Sequence, residues 1–392
     1  MNPWTKKRLL DVIRIAVTVA ALWLVVQGVT VRDRVTLKTG DTVTGLVGAD
    51  GTIADTEWLV IETPDGEVKR IPRADVALDK DGALSISYGL ITAWRASAKT
   101  LLLVALAIHA LVIFPQALRF QLLLSAQDIR MGYWEALKLS FAGNFLNFAT
   151  PLGSNMGDVF KAYFVALHTE HKAEAVATVA VDRMVGLATL VIVVSAITAF
   201  GPAGSRLAEL RPYALGIFGG GVIVMFVYLS PTIRGRLKTP AWLKRFRAFE
   251  LIRRADVAVR GLTRHKAILL GAFLLTVLLQ WLALGAYFTV TVALGLDARV
   301  GNVVEYYAYF YCGALVQAFP GPPQGLGTVE LAYRYLLAPF GSPSQIVCAA
   351  FAIRLVVLAC ALPGMVVTLT GSYRPRVLAE PGLGRESTVN TT

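Results

Sequence analysis

The stretch from residue 144 to residue 183 constrains the fold more than any other part of the chain. It reads NFLNFATPLGSNMGDVFKAYFVALHTEHKAEAVATVAVDR and lies among long apolar runs. Among the polar residues that it carries are Asn144, Asn147, Asp158, Lys161, Asp182 and Arg183. Residues 150–158 cannot form one regular helix, because Pro151 has no amide hydrogen to donate and Gly153 and Gly157 follow it. Irregular backbone at membrane depth persists only where protein or water covers it, and charges there are usually functional. The stretch therefore predicts a broken helical hairpin that lines a polar site within a membrane protein.

The same pattern returns in the second half of the chain, in GPPQGLGTVELAYRYLLAPFGSPSQIVCAAFAIRLVVLA. The matched residues are Pro151 with Pro323, Gly153 with Gly325, Asp158 with Glu330 and, one gap later, Arg183 with Arg354. Gly157 and Gly327 complete the two predicted breaks. Each copy reads as a Pro/Gly break, an acid, a short helix and a long apolar helix with an arginine. Because many transporter sites lie between interrupted helices of two repeats, we predict an internal repeat.

Composition places the chain in a membrane. Its 392 residues are 55% hydrophobic and 16% charged, with a mean hydropathy of +0.59, which is too apolar for a soluble domain of this length. The net charge of +12 comes largely from residues 231–266, which hold eleven Lys/Arg against two acids. Beside a membrane such a stretch faces anionic lipid, so we expect no nucleic-acid partner. Cys312, Cys348 and Cys360 all lie in apolar segments, which makes disulfides and zinc sites unexpected.

We predict an all-α polytopic membrane protein with a small all-β insert. The expected regions are an N-terminal transmembrane helix (1–30), the insert (31–88), a first membrane repeat (98–212), a connecting helix with a basic loop (213–266), a second membrane repeat (267–372) and a disordered tail (373–392). Short β-prone runs and Gly/Asp turns give the insert the pattern of an SH3-like or Sm-like barrel. It either docks a protein partner or is a solvated decoration.

Charge bias predicts the orientation. The basic loop and both termini are expected in the cytoplasm, and the acidic insert is expected outside the inner membrane of a bacterium. The two hairpins then open on opposite faces, and the two halves read span, hairpin, span in reversed direction. That is an inverted-topology repeat. Whether the hairpins are re-entrant or cross the bilayer fully stays open.

The same residues resemble the transmembrane region of the lysylphosphatidylglycerol synthase family, which are flippase-like membrane proteins. The similarity rests on Asn147…Pro151…Gly157-Asp158…Lys161, on Asp182-Arg183, on Gly325-Leu326-Gly327…Glu330 and on Arg354, and it covers about Ala98 to Gly371. Family members that make aminoacylated lipid have a large soluble C-terminal domain, which we do not expect here. The resemblance therefore implies movement of a lipid between leaflets rather than synthesis.

The predicted site has chemistry suited to a lipid headgroup. Arg183, Lys161 and Arg354 are candidates to hold phosphate, with added backbone donors at the helix starts near Gly157 and Thr328. Asp158 and Glu330 would pair with these bases or hold an amino group. Alternatively, Asp158–Arg183 and Glu330–Arg354 are static ion pairs that fix helix packing.

Other polar residues of the two stretches are harder to assign. Asn144 and Asn147 line the groove or join helices. His168 and His171 lack a third ligand, so we expect no metal and no cofactor.

The leading functional hypothesis is a flippase-like transporter that moves a phospholipid or lipid-linked headgroup through a charged groove midway across the bilayer. The expected partners are anionic or aminoacylated phospholipids, or a polyprenyl-phosphate-linked glycan. One alternative is a polyprenyl-phosphate-dependent membrane glycosyltransferase, in which Asp158 would act as the acid or base. Another is a non-transporting module that binds lipid or a protein partner through residues 31–88.

Overall fold

The computed structural model describes residues 29–47, 57–78, 84–149, 156–201, 206–229, 261, 265–297, 303–318 and 325–370. Most of the predicted N-terminal helix, the basic stretch, the tail, and the breaks at Pro151, Gly153 and Pro323 lie outside the described residues. Both limbs of each predicted hairpin and most of the predicted spans lie within the described residues.

The predicted β insert forms an antiparallel five-stranded sheet. Its strands are β1 (Asp33–Thr36), β2 (Thr42–Val47), β3 (Trp58–Glu62), β4 (Val68–Pro72) and β5 (Ile86–Ser87). They lie in the order β4-β3-β2-β1-β5. Gly40 and Gly66 adopt positive φ in the turns before β2 and β4, as the sequence predicts for hairpin turns. The side chains of Val35, Val47 and Ile61 are buried in a small core within the sheet.

The rest of the described chain is helical. The helices are α1 (Leu90–Arg95), α2 (Lys99–Ala110), α3 (Ile113–Ser125), α4 (Tyr133–Ala149), α5 (Met156–Leu167), α6 (Lys172–Phe200), α7 (Arg206–Leu229), α8 (Lys266–Ala293), α9 (Val303–Ala318), α10 (Thr328–Leu336) and α11 (Pro343–Thr370). Five segments within the described residues are long and apolar enough to cross a membrane. They are Lys99–Ser125, Lys172–Phe200, Leu207–Val224, Lys266–Ala293 and Pro343–Thr370. This agrees with the predicted all-α polytopic membrane protein.

One face of α8 shows why such helices need a lipid environment. Leu270, Leu274, Leu278 and Trp281 repeat at helical spacing, and each is at least 50% exposed. An apolar stripe of this length has no counterpart on an ordinary soluble protein, but hydrocarbon covers it without cost.

The chain divides into two compact units. Unit 1 comprises Met1–Leu111, Leu190–Gly220 and Gln280–Cys360, and unit 2 comprises Val112–Thr189, Gly221–Leu279 and Ala361–Thr392. The core of unit 1 is rich in aromatic residues, with Tyr306, Tyr309 and Phe310 fully buried. The largest core of unit 2 is centred on Phe120, Leu124 and Leu139.

Helix α7 begins earlier than the sequence predicts. The sequence predicts this connecting helix from about residue 213, whereas the helix starts at Arg206 and contains Pro212. The guanidinium of Arg211 donates hydrogen bonds to the carbonyls of Thr198 (3.1 Å) and Gly201 (3.2 Å) at the end of α6. These bonds satisfy carbonyl groups that a helix end leaves without partners, and they help to hold the first turns of α7 in place.

The insert is held at its stem, which consists of Thr30 and Tyr88-Gly89. The buried carboxylate of Asp33 accepts hydrogen bonds from the amides of Val47 (2.7 Å) and Gly89 (2.6 Å) and from the Thr92 hydroxyl (2.7 Å). The amide of Thr30 donates a 3.1 Å hydrogen bond to the hydroxyl of Ser344 in the first turn of α11. The sheet is therefore joined to α1 and to α11 within unit 1.

Candidate functional site

The first hairpin, α4 with α5, is closed by two glycines. A Cβ atom at Gly157 would overlap the carbonyl of Gly143, so α5 could not approach α4 this closely with a side chain at residue 157. Next to this contact, Asn147 Oδ1 accepts a 2.7 Å hydrogen bond from the amide of Gly157. The bond satisfies one of the donors that the start of α5 would otherwise leave open. Asn147 thus fixes how α5 begins.

Asn144 joins α4 to α3 through a reciprocal amide pair. Its Nδ2 donates to Gln116 Oε1 at 3.1 Å, and Gln116 Nε2 donates to Asn144 Oδ1 at 3.2 Å. Amide pairs of this kind hold membrane helices together. Both asparagines therefore join helices, which is one of the two roles that the sequence left open for them.

Residues at the start of α5 and in the middle of α6 take part in two acid–arginine ion pairs. Asp158, in the first turn of α5, pairs with the guanidinium of Arg183, and the two side chains are 27% and 34% exposed. Asp182 pairs with Arg119 through two contacts, at 2.7 Å and 3.0 Å, and both of these side chains are only 9% exposed. Arg119 also donates to the Thr276 hydroxyl at 2.9 Å. One pair can be reached from outside the protein, while the other is enclosed.

Lys161 lies on α5, one turn after Asp158, and is 3% exposed. Its Nζ is 5.3 Å from the centre of the Phe120 ring, which is a cation–π distance. It interacts electrostatically with both Asp158 and Asp182, yet no carboxylate of the described residues lies within 4.0 Å of Nζ. Three bases and two acids thus meet in unit 2, and together they have an excess of one positive charge.

The second hairpin, α9 with α10, lies in unit 1 and has its own pair. Gly325 and Gly327 adopt φ of +64° and +84°, a region that residues with a side chain rarely enter. Glu330 is 1% exposed; its Oε2 accepts a 2.7 Å hydrogen bond from the amide of Gly327, and its Oε1 pairs with Arg354 Nε of α11. One acid therefore caps the helix start and neutralises the arginine.

Aromatic residues enclose this second pair. Tyr333, one turn after Glu330, lies where a Cβ at Gly313 of α9 would be, so the glycine makes room for its ring. The ring meets Phe310 edge to face with centres 5.4 Å apart. Tyr333 and Tyr287 both lie close enough to Arg354 to interact with its charge.

The sequence-predicted residues separate into two groups. In unit 2, Asn144 and Asn147 hold the hairpin while Asp158, Lys161, Asp182 and Arg183 form the charged cluster. In unit 1, Glu330 and Arg354 form one pair. The sequence-predicted site does not include Arg119, whose side chain is buried and bound to Asp182. Its place inside the apolar run from Ile113 to Ser125 was the available signal, because an arginine there needs a partner.

The helix starts offer fewer free donors than the sequence suggests. The amide of Gly157 is already bound by Asn147, and that of Gly327 by Glu330. One backbone donor at each helix start is therefore already used within the protein. In the described part of the chain, no three His, Cys, Asp or Glu side chains come together as metal ligands.

Comparison with known families decides where this arrangement belongs. The family model described as "Lysylphosphatidylglycerol synthase TM region" matches residues 88–364. The chain belongs to this family. The match confirms the resemblance read from the sequence, and it makes this a multi-pass membrane protein of a lipid-related family. No curated protein matches the chain. The matched residues include both hairpins and all the paired charges, while strands β1–β5 lie before them.

Proposed function

We propose that this member of the lysylphosphatidylglycerol synthase TM region family is a flippase-like transporter that moves a phospholipid or lipid-linked headgroup between leaflets. The observation that supports it most is the Asp158–Arg183 pair. It lies at the start of a short helix and is partly exposed, and the buried Lys161 lies one turn away. Charged groups inside membrane proteins usually mark a substrate path.

The excess of positive charge supports an anionic headgroup. Arg119 and Asp182 neutralise each other, as do Arg183 and Asp158, so the charge of Lys161 remains. A phosphodiester carries one negative charge, which would balance the cluster. In hydrocarbon an uncompensated charge is costly, and a protein that supplies the opposite charge lowers the barrier to crossing.

Exposure separates the roles of the two pairs. Arg183 is the base that a phosphate can reach first, because a third of its side chain is exposed, and its planar guanidinium can bind phosphate through two hydrogen bonds. Asp158, once released from Arg183, is available to an amino group on the headgroup. Arg119 and Asp182 are enclosed, so we assign them the task of holding α3, α6 and α8 in place.

Several finer features are part of the same proposal. Both halves contain, in order, a long span, a hairpin limb of 17 or 16 residues, a short helix of 12 or 9 residues and a span of 29 or 28 residues. This order supports an inverted repeat with the six predicted regions. The basic stretch 231–266 supports a bacterial inner-membrane protein with cytoplasmic termini and an extracytoplasmic insert.

Reconstitution tests the proposal. Vesicles with the purified protein receive a headgroup-labelled phospholipid in both leaflets, and an impermeant quencher reports the fraction that reaches the outer leaflet. We expect exchange well above protein-free vesicles, and a decrease of at least about tenfold in Arg183→Ala and Asp158→Asn, since each removes one partner of the reachable pair. Arg130→Ala, at an exposed arginine after α3, is the matched control and should exchange normally.

The outcome also separates the alternatives. Formation of a glycosylated product from a sugar donor, without exchange, would favour a membrane glycosyltransferase with Asp158 as its acid or base. Absence of both activities in a protein with intact helical content would favour a lipid-binding or partner-binding module. Either result contradicts the transport proposal.

A further inference from the structure

An exposed tryptophan and two exposed bases lie where the apolar span Lys99–Ser125 begins. Trp94 and Arg95 are the last residues of α1, and Lys99 is the first residue of α2. All three side chains are exposed, Trp94 by 44%. Tryptophan is enriched at membrane–water interfaces, because its ring is apolar while its indole N–H seeks a polar partner. These residues therefore have the composition of a membrane boundary.

Contacts bring the three side chains to one place. Lys99 Nζ lies 4.3 Å from the centre of the Trp94 ring, and it donates hydrogen bonds to the Trp94 carbonyl and the Ser97 hydroxyl. The Ser97 hydroxyl in turn donates to the same carbonyl at 2.7 Å. This carbonyl belongs to the peptide bond between Trp94 and Arg95, so Lys99 Nζ lies within about 5 Å of the Arg95 amide. Both bases can therefore reach one ligand bound beside the indole ring.

The lipid-facing surface of α2 begins one turn after Lys99. Leu103 and Leu111 follow Lys99 at multiples of four residues, so they share its face of the helical segment, and they are 66% and 51% exposed. Leu103 is about 6 Å further along the helix axis than Lys99. A lysine at the end of an apolar stripe turns its ammonium group away from hydrocarbon and toward the lipid headgroups. Lys99 does so by folding back onto Trp94, which places the headgroups at the level of these two residues.

The two bases keep their charge for an external partner. Among the residues that the structure describes, no carboxylate lies within 4.0 Å of Arg95 or Lys99. Two positive charges beside an apolar surface match a ligand with an anionic head and hydrocarbon tails. An anionic phospholipid has both.

We propose that Trp94, Arg95 and Lys99 form a binding site for the headgroup of an anionic phospholipid in the leaflet around the start of α2. The guanidinium and the ammonium group bind the phosphate, and the acyl chains lie along the stripe that begins at Leu103. This lipid stays at the protein surface and is distinct from the headgroup that the transport proposal assigns to Arg183. The site goes beyond that proposal, and its occupancy can be measured without lipid exchange.

Quenching of Trp94 fluorescence by brominated lipids tests the site. In the full-length protein the six other tryptophans of the seven in the chain are replaced by phenylalanine. The protein is reconstituted in phosphatidylcholine vesicles, in which acyl-brominated phosphatidylcholine or phosphatidylserine replaces part of the unlabelled lipid. We expect both brominated lipids to quench Trp94, with half-maximal quenching at a mole fraction at least about fivefold lower for phosphatidylserine. Each base beside an anionic lipid surface contributes a preference of about this size.

Charge-matched variants separate the site from a general effect of net charge. Arg95→Gln with Lys99→Gln should reduce the preference for phosphatidylserine to less than about twofold. The matched control is Arg34→Gln with Lys38→Gln, which removes the same two charges from exposed positions in and after β1 and should leave the preference unchanged. Arg183→Ala should also leave it unchanged, so the result does not depend on the transport proposal.

Several outcomes would overturn the inference. It fails if brominated lipids do not quench Trp94, and it fails if the two lipids quench equally, since Trp94 would then mark an interface without an anion site. Inorganic phosphate at constant ionic strength should not displace phosphatidylserine; displacement would indicate a site for soluble phosphate and refute a lipid site. If the protein with a single tryptophan does not fold, the difference in quenching between the wild type and Trp94→Phe supplies the same comparison.

Discussion

The loss of the acid should destabilise the protein much more at one ion pair of unit 2 than at the other. Asp182 makes two contacts with Arg119, at 2.7 Å and 3.0 Å, and both side chains are 9% exposed. Asp182→Asn leaves the arginine charge buried without a counter-charge, and such losses cost about 3–5 kcal/mol. Asp158→Asn breaks a pair whose side chains are 27% and 34% exposed, so solvent screening limits the cost to about 1 kcal/mol or less.

Unfolding of the purified protein in detergent, followed by helical circular dichroism in a denaturant titration, measures both free energies. A double variant, Arg119→Met with Asp182→Leu, adds a further check: because it removes both charges, it should recover most of the stability that Asp182→Asn loses. In the lipid-exchange assay the order reverses: relative to the stability that each variant loses, Asp158→Asn lowers the exchange rate more than Asp182→Asn does. The reasoning is refuted if Asp158→Asn destabilises the protein as much as Asp182→Asn, since the reachable pair would then be a packing device.

Three further substitutions, with Gly216→Ala as a control, test local features by the same unfolding measurement, to which proteolysis is added for Asp33→Ala. Gly157→Ala should lower the free energy of unfolding by about 1–3 kcal/mol, because the new methyl overlaps the Gly143 carbonyl. The control Gly216→Ala, which has open space around it, should be neutral or stabilise the protein by up to about 1 kcal/mol. Equal effects of the two substitutions would contradict the close helix contact. Gly327→Ala should cost about 1–2 kcal/mol because its φ is +84°. Asp33→Ala should lower the free energy of unfolding by about 3 kcal/mol or more, since three hydrogen bonds are lost. It should also make the insert more sensitive to protease, and unchanged cleavage would rule out a role of Asp33 in the stem.

The sequence was sufficient for the elements whose chemistry is local. An acid just after a Pro/Gly break has few partners in an apolar protein, so the pairing of Asp158 with Arg183 and of Glu330 with Arg354 followed from charge alone. Gly40 and Gly66 were identifiable as turns because their neighbours alternate as strands do. The long apolar helices were predictable because only the hydrocarbon of a bilayer accommodates apolar runs of that length.

The remaining features depend on contacts between segments far apart in sequence. Arg119 and Asp182 are 63 residues apart, and only the packing of α3 against α6 joins them. The amide of Gly157 looked free for phosphate until Asn147, ten residues earlier, was found to bind it. The predicted start of the connecting helix at residue 213 missed the hydrogen bonds by which Arg211 joins α7 to the end of α6. In each case a side chain supplied a tertiary contact that outweighed a local preference.

The stem of the insert connects the five-stranded sheet to a helix that carries a paired arginine. Thr30 is hydrogen-bonded to Ser344, and the Ser342 hydroxyl donates to the carbonyl of Tyr88, so both ends of the insert meet the first turn of α11. Ten residues further along the same helix, or about 15 Å, Arg354 binds Glu330. Of the helices that bind the stem, α11 is the one that carries an ion pair of the candidate site. Any molecule that tilts the sheet would pull on the helix that holds this guanidinium.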